Sequence, residues 1–216
     1  MCGRFALNAT AEALEDHYGL TVPEEYVARF NIAPGSPLLA ITEQSLTFFK
    51  WGLIPGWMRQ IKPGRQMINA RVETVTDKPS FKHAFKRRRC LIPVSGFYEW
   101  KTESGYKQPY YGTLNQSLFS FAGIWEHWQD GLGNELQTCA VLTTQATGGM
   151  ARIHQRMPVV IRPENYVDWL NHRNEEVNKA QNCIALLNAG WHFYPVTTAV
   201  NSASNDFKEL TEIMVK

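Results

Sequence analysis

Five apolar runs in the middle of this 216-residue chain constrain its fold more than any other feature. They read CLIPV at 90–94, GFYEWK at 96–101, YKQPYYG at 106–112, LFSFAGIWEHW at 118–128 and ELQTCAVLTT at 135–144. Each has the length of a strand and its richness in β-branched and aromatic residues. Turn signals at Glu103-Ser104-Gly105 and Asp130-Gly131 punctuate the series. A meander of this kind suggests a curled, barrel-like, mostly antiparallel sheet.

The flanks add strands and peripheral helices. Residues 10–19 predict a short helix with Thr10 as N-cap and Gly19 just past its end. Pro34, Gly35 and Pro37 mark a loop, after which LLAIT and LTFFKW predict two strands around Glu43-Gln44. From Gly52 to about Thr76 the chain is irregular, with Pro55, Gly56, Pro63 and Gly64. A stretch so long inside a domain is functional or disordered, and Trp57, Asn69 and Arg71 favour function. Residues 79–88 predict a basic helix opened by Pro79, PENYVDWLN a helix with Pro163 in its first position, and 175–188 another. WHFYPVTTAV gives the last strand signal. With 44% hydrophobic residues and no repeat or linker, the expectation is one α+β domain over residues 1–216.

Charge and cysteine usage narrow the function classes. A net charge of +2 does not by itself imply nucleic acid, although Lys82, His83, Lys86, Arg87, Arg88 and Arg89 concentrate positive charge. That cluster reads as a solvated helix face or as part of a track for a polyanion. The four cysteines form no CxxC pair, and their scatter fits neither a zinc site nor a disulfide framework, so no metal or cofactor is expected. Cys90, Cys139 and Cys183 lie among aliphatic residues and read as small buried hydrophobes, whereas Cys2 lies beside Gly3 and Arg4. The start lacks the pattern of a signal peptide and no run reaches transmembrane length. A reducing cytoplasmic compartment, with free thiols and no membrane contact, is the expectation.

Cys2 opens a specific chemistry. Removal of Met1 would leave an α-amine and a thiol on adjacent carbons, with the amine pKa about 7.7–8.0. Such an amine forms a Schiff base with an aldehyde, and the thiol can then close a five-membered thiazolidine on the imine carbon. Three other segments carry candidate partners. MINARVET sets Asn69, Arg71 and Glu73 at alternate positions, hence on one side if extended. GFYEW places Glu99 in an aromatic, buried strand, where a carboxylate is suited to proton transfer. IHQRMPVVI sets His154 and Arg156 before an apolar strand. Each segment has a structural alternative: a polar strand face, an ion-paired glutamate, a structural histidine.

Taken in order, the segments resemble the SOS-response-associated peptidase family, also described as abasic-site processing proteins. The matching pieces are MCGRF at 1–5, RFNIAPG at 29–35, WGLIPGW at 51–57, NARVET at 69–74, SGFYEW at 95–100, HQRMPVVI at 154–161 and YPVTTAVN at 194–201, with Asn205 beyond. The resemblance implies an α+β domain with a basic cleft for single-stranded DNA carrying an abasic site. It implies a monomer, nucleoid-associated in a bacterium. By the same likeness, Cys2 forms the thiazolidine with the ring-opened deoxyribose, Asn69 positions Cys2 and the sugar, and Glu99 shuttles protons. His154 would protonate the opening sugar oxygen and assist strand cleavage by elimination. Arg4, Arg71 and Arg156 would bind phosphates, Pro34 and Trp57 would splay the strand, and the chain would remove its own leading residue. Met58 departs from the second aromatic expected after Trp57. The residues alone also allow an N-terminal-nucleophile peptidase or amidohydrolase not acting on DNA, or a non-catalytic strand-binding module.

Overall fold

Short apolar segments separated by glycine and proline build this molecule from strands. A computed structural model describes residues 2–43, 45–60, 66–115, 118–171, 177–184 and 190–214. Strand β1 (Phe5–Leu7) leads into helix α1 (Ala11–Tyr18), whose start is capped by the Thr10 hydroxyl accepting from the Ala13 N–H at 3.2 Å. Gly19, at φ 65°, ends it in the left-handed conformation that a side chain would disfavour. Both termini lie where the sequence places them. Strands β2 (Arg29–Ile32), β3 (Pro37–Ile41), β4 (Leu46–Trp51) and β5 (Asn69–Arg71) follow, then helix α2 (Lys82–Arg87). The predicted meander is β6 (Arg89–Val94), β7 (Gly96–Glu103), β8 (Tyr106–Leu114), β9 (Phe119–Gln129) and β10 (Glu135–Gln145). Short β11 (Arg156–Pro158) and β12 (Val160–Ile161), helices α3 (Tyr166–Leu170) and α4 (Val177–Asn182), and β13 (Trp191–Pro195) complete the described chain.

The strands form two sheets within one α+β domain. Strands β10, β4, β3, β6 and β9 close into a five-stranded barrel because β9 also pairs with β10. All of its pairings are antiparallel except β4 with β10. The second sheet, in the order β13-β8-β7-β1-β2, is antiparallel throughout. Aromatic side chains join the two: the Phe5 ring lies 5.0 Å from Trp51 and 6.1 Å from Phe121, and Phe97 lies 5.9 Å from Phe121. Tilted and edge-on rings at these distances bury large apolar areas and add about 0.5–1.5 kcal/mol per pair. Gly112 makes the crowding possible, since a Cβ there would lie 2.3 Å from the Phe193 ring.

Several sequence expectations are corrected. The basic helix opens at Lys82, not Pro79. PENYVDWLN splits into a 3-10 turn over 163–165 and α3. WHFYPVTTAV is a strand only through Pro195, because 198–201 winds into a 3-10 turn capped by the Thr197 hydroxyl. The helix expected over 175–188 is observed as α4; residues 175, 176 and 185–188, with Gln44, Pro63 and Gly64, lie outside the described residues. The basic cluster is not one solvated face either. Arg89 is buried, donating to the carbonyls of Phe85, Lys86, Trp169 and Asn171, and Arg88 pairs with Glu126.

Candidate active site

Antiparallel pairing delivers the start of the chain to the buried glutamate. Phe5 lies opposite Phe97 and Ala6 opposite Gly96, and the Tyr98 N–H donates to the Arg4 carbonyl at 2.9 Å. Beyond that bond the ladder ends, and Cys2 lies close enough to Glu99 for the carboxylate's charge to act on its thiol. Contrary to the sequence expectation, Cys2 is not set apart from the other cysteines: it is fully buried against the core. Burial, and then the negative charge of Glu99, push its thiol well above the ordinary range, so it is protonated at neutral pH.

Three elements supply the groups around Cys2 and Glu99. Strand β5, laid parallel along β10 with Asn69 opposite Val141, carries Asn69 to it. The Asn69 amide nitrogen donates to the Cys2 carbonyl at 2.7 Å, while its amide oxygen is buried without a hydrogen-bond partner among the described residues. A buried acceptor with no donor is uncommon and costly. Glu99, on β7, is buried, and its carboxylate accepts from the Trp100 N–H at 3.3 Å. His154 follows the 3-10 turn over 148–152, with its Nδ1 4.0 Å from Glu99 Oε1. The Arg156 N–H donates to that same Nδ1 at 3.0 Å, which fixes the ring's orientation. Glu99, His154, Trp100, Lys107 and Asn201 line a cleft of about 450 Å³. A larger cleft of about 520 Å³, flanked by Gly35, Lys50 and His127, lies elsewhere and contains none of the expected site residues.

The other expected residues are placed as follows. Asn69 and Arg71 share one side of β5, with Ala70 buried on the other, but the strand ends there. Glu73 therefore falls in a 3-10 turn rather than on an extended strand. It still reaches the site, because both carboxylate oxygens accept from Arg156 at 2.7 and 2.9 Å. That hydrogen-bonded guanidinium holds the Glu73 carboxyl below its usual range. Arg156 also donates to the Thr143 carbonyl at 2.7 Å. Arg71 is exposed. Arg4 donates through Nη1 to Asn31 Oδ1 at 2.9 Å and to the Val200 carbonyl at 2.7 Å, and lies 6.0 Å over the Trp100 ring. Pro34 is exposed in the turn between β2 and β3, and Trp57, 64% exposed, stands on the loop after β4.

The sequence by itself marks none of Trp100, Lys107 and Asn201 as a site residue. Two lie inside noted segments, SGFYEW and YPVTTAVN, but the hydrogen bond from Trp100 Nε1 to Asn201 Oδ1 spans 101 positions and leaves no local signal. Lys107 had none. Among the described residues no three metal-ligating side chains gather, and no helix is long and apolar enough to cross a membrane.

The sequence model of the family described as SOS response associated peptidase matches residues 1–203. The abasic site processing protein YoqW of Bacillus subtilis is 39% identical over 222 residues, covering 98% of this chain and 99% of that one. The abasic site processing protein YedK of Escherichia coli is 32% identical over 228 residues, covering 98% and 99%. A crystal structure of a Bacteroides thetaiotaomicron protein superposes with a TM-score of 0.88 at 26% identity, over 99% of this chain and all of that one.

Proposed function

The chain belongs to the SOS response associated peptidase family, and from that membership we propose that it processes abasic sites in single-stranded DNA by covalent bonding through Cys2. The observation that carries this reading is that Asn69 bonds the Cys2 carbonyl, the Glu99 charge acts on the Cys2 thiol, and His154 stands 4.0 Å from Glu99. In the active form Cys2 is the first residue, Met1 having been removed; Met1 itself lies outside the described residues.

The chemistry follows from the groups present. The α-amine of Cys2 adds to the C1′ aldehyde of the ring-opened deoxyribose, and loss of one water leaves an imine. The thiol then adds to that imine carbon, its proton passing to nitrogen, so that amine plus thiol plus aldehyde gives thiazolidine plus water. Because burial keeps the thiol protonated, the second step needs a base, and Glu99 is the carboxylate whose charge acts on that sulfur. The buried amide oxygen of Asn69 would accept from the new amine and hold it towards the sugar. His154 would protonate the opening ring oxygen and assist elimination of the 3′ phosphate from the imine. Arg71, Arg156 and Arg4 would grip phosphates, a task that suits a planar guanidinium. Trp57 would stack on a base, worth about 1–3 kcal/mol, with Pro34 as the facing wall. Removal of its own leading residue would be the peptidase activity: the same thiol would take the Met1 acyl group as the Met1–Cys2 amide bond breaks, and water would then hydrolyse the thioester, releasing methionine and restoring the thiol.

Incubation with matched abasic and intact oligonucleotides, resolved on a denaturing gel, tests the reading. Wild-type protein should shift only the abasic strand, and Cys2→Ala should abolish the shift while retaining strand affinity within about twofold, since the thiol makes no phosphate contact. Glu99→Gln should slow adduct formation and reversal by roughly 100-fold. Peptide cleavage without any adduct would instead make the protein an amidohydrolase.

A further inference from the structure

Asn31 is fully buried on β2, away from Cys2 in sequence, and it uses every polar atom of its side chain. Its amide oxygen accepts from Arg4 Nη1 at 2.9 Å. Its amide nitrogen donates to the carbonyls of Asn205 at 2.6 Å, Ser202 at 3.0 Å and Val200 at 3.4 Å. The Val200 carbonyl also accepts from Arg4 Nη1, so Asn31, Arg4 and the 198–205 segment form one closed knot. The segment presents Asn201, which receives Trp100 Nε1 at the cleft wall. Asp206 locks the other side, accepting from the Phe30 and Asn31 backbone N–H groups and from Arg29.

The consequence for Arg4 is an asymmetric guanidinium. One amino group, Nη1, is fully engaged inside the protein. Nε is buried and carries no hydrogen bond among the described residues. With Nε sealed from solvent and both Nη1 hydrogens engaged, Nη2 is the amino group left to meet a phosphate. A guanidinium free to rotate would swing Nη2 through many directions; one pinned at Nη1 holds it in one.

We propose that Asn31 is a positioning residue for the DNA strand, holding Arg4 by Nη1 so that its Nη2 is set for one backbone phosphate beside Trp100 at the cleft wall. The inference rests on the strand-binding reading above and goes beyond it, since Asn31 touches neither Cys2, Glu99 nor the cleft. An isolated packing role would affect stability alone; a positioning role makes Asn31 and Arg4 act as one unit on DNA.

Non-covalent binding to an intact single-stranded oligonucleotide, measured at several salt concentrations, separates these roles. Arg4→Ala should lower affinity about tenfold and reduce the steepness of log affinity against log salt by about 0.7, the value for one lost phosphate contact on a single strand. Asn31→Ala should produce the same loss of slope, and the double variant should bind no worse than Arg4→Ala alone. Asn31→Ser, whose short neutral side chain leaves Arg4 without the amide acceptor, should lose the same slope. A wild-type slope in either Asn31 variant, or additive losses in the double variant, overturns the proposal. If Asn31→Ala does not fold, the Asn31→Ser slope decides alone. Failure of the wild type to bind the strand would sink both this inference and the function proposed above; strand binding with an unchanged Asn31→Ala slope would sink this one only.

Discussion

At the scale of single residues, the site is built from groups whose partners are already chosen. Glu73 and Arg156 form a bidentate pair with the guanidinium largely shielded, so a phosphate approaching Arg156 competes with a carboxylate. Glu73→Gln should therefore tighten binding to intact single-stranded DNA by about threefold at low salt, because the neutral amide holds the guanidinium less strongly. Fluorescence anisotropy with a labelled oligonucleotide measures this, and unchanged affinity would mean Arg156 stays with Glu73 when DNA binds. Cys2 teaches a related lesson. Its neighbours Gly3 and Arg4 suggest an exposed terminus, yet the side chain is packed like Cys90 and Cys139. Sequence context could not show this, because the covering groups come from β5 and β7, far along the chain.

At the scale of elements, the helices are short and depend on borrowed partners. The last carbonyls of α2 and those at the end of α3 would be orphans in helices of six and five residues, and the Arg89 guanidinium satisfies them together. Its plane also lies 5.8 Å from the Trp169 ring. Arg89→Ala should destabilise the fold by about 3–5 kcal/mol, and Arg89→Lys should recover little of it, because one ammonium cannot reach four divergent carbonyls. Urea denaturation of both variants tests this, and recovery of most of the loss by lysine would count against the capping role. A run of Lys82, Lys86, Arg87, Arg88 and Arg89 looks uniform as sequence. Only the crossing of α2 and α3 over β6 decides which arginine turns inward.

At the scale of the whole molecule, closure of the barrel against the second sheet seals several ionisable groups in their neutral forms. The thiols of Cys2, Cys90 and Cys139 and the phenols of Tyr18 and Tyr111 are all pushed up by burial. The sign follows directly. In the unfolded chain the thiols ionise near their ordinary value of about 9.0, whereas the folded protein keeps them protonated. Stability should be level below about pH 8 and fall as pH rises through and beyond 9, because the unfolded state alone releases those protons. Thermal melts between pH 7 and 10.5 read this out, and a melting temperature unchanged up to pH 10 would show that the thiols ionise without unfolding.

The strand-rich centre, the α1 caps, the hairpin turn at Ser104-Gly105 and the segments carrying Asn69, Glu99 and His154 were legible in the sequence. These are local properties: side-chain alternation, capping hydroxyls, left-handed glycines and short motifs act over a few residues. What the tertiary structure alone decided is which ends of those segments meet. Register between β1 and β7 set Cys2 beside Glu99, parallel pairing of β5 on β10 brought Asn69 to the Cys2 carbonyl, and Asn31 tied Arg4 to a segment some 170 positions later. Hydrogen bonds of that reach depend on sheet closure and on the burial that makes every unpaired polar atom costly, and neither is written in any one stretch of chain.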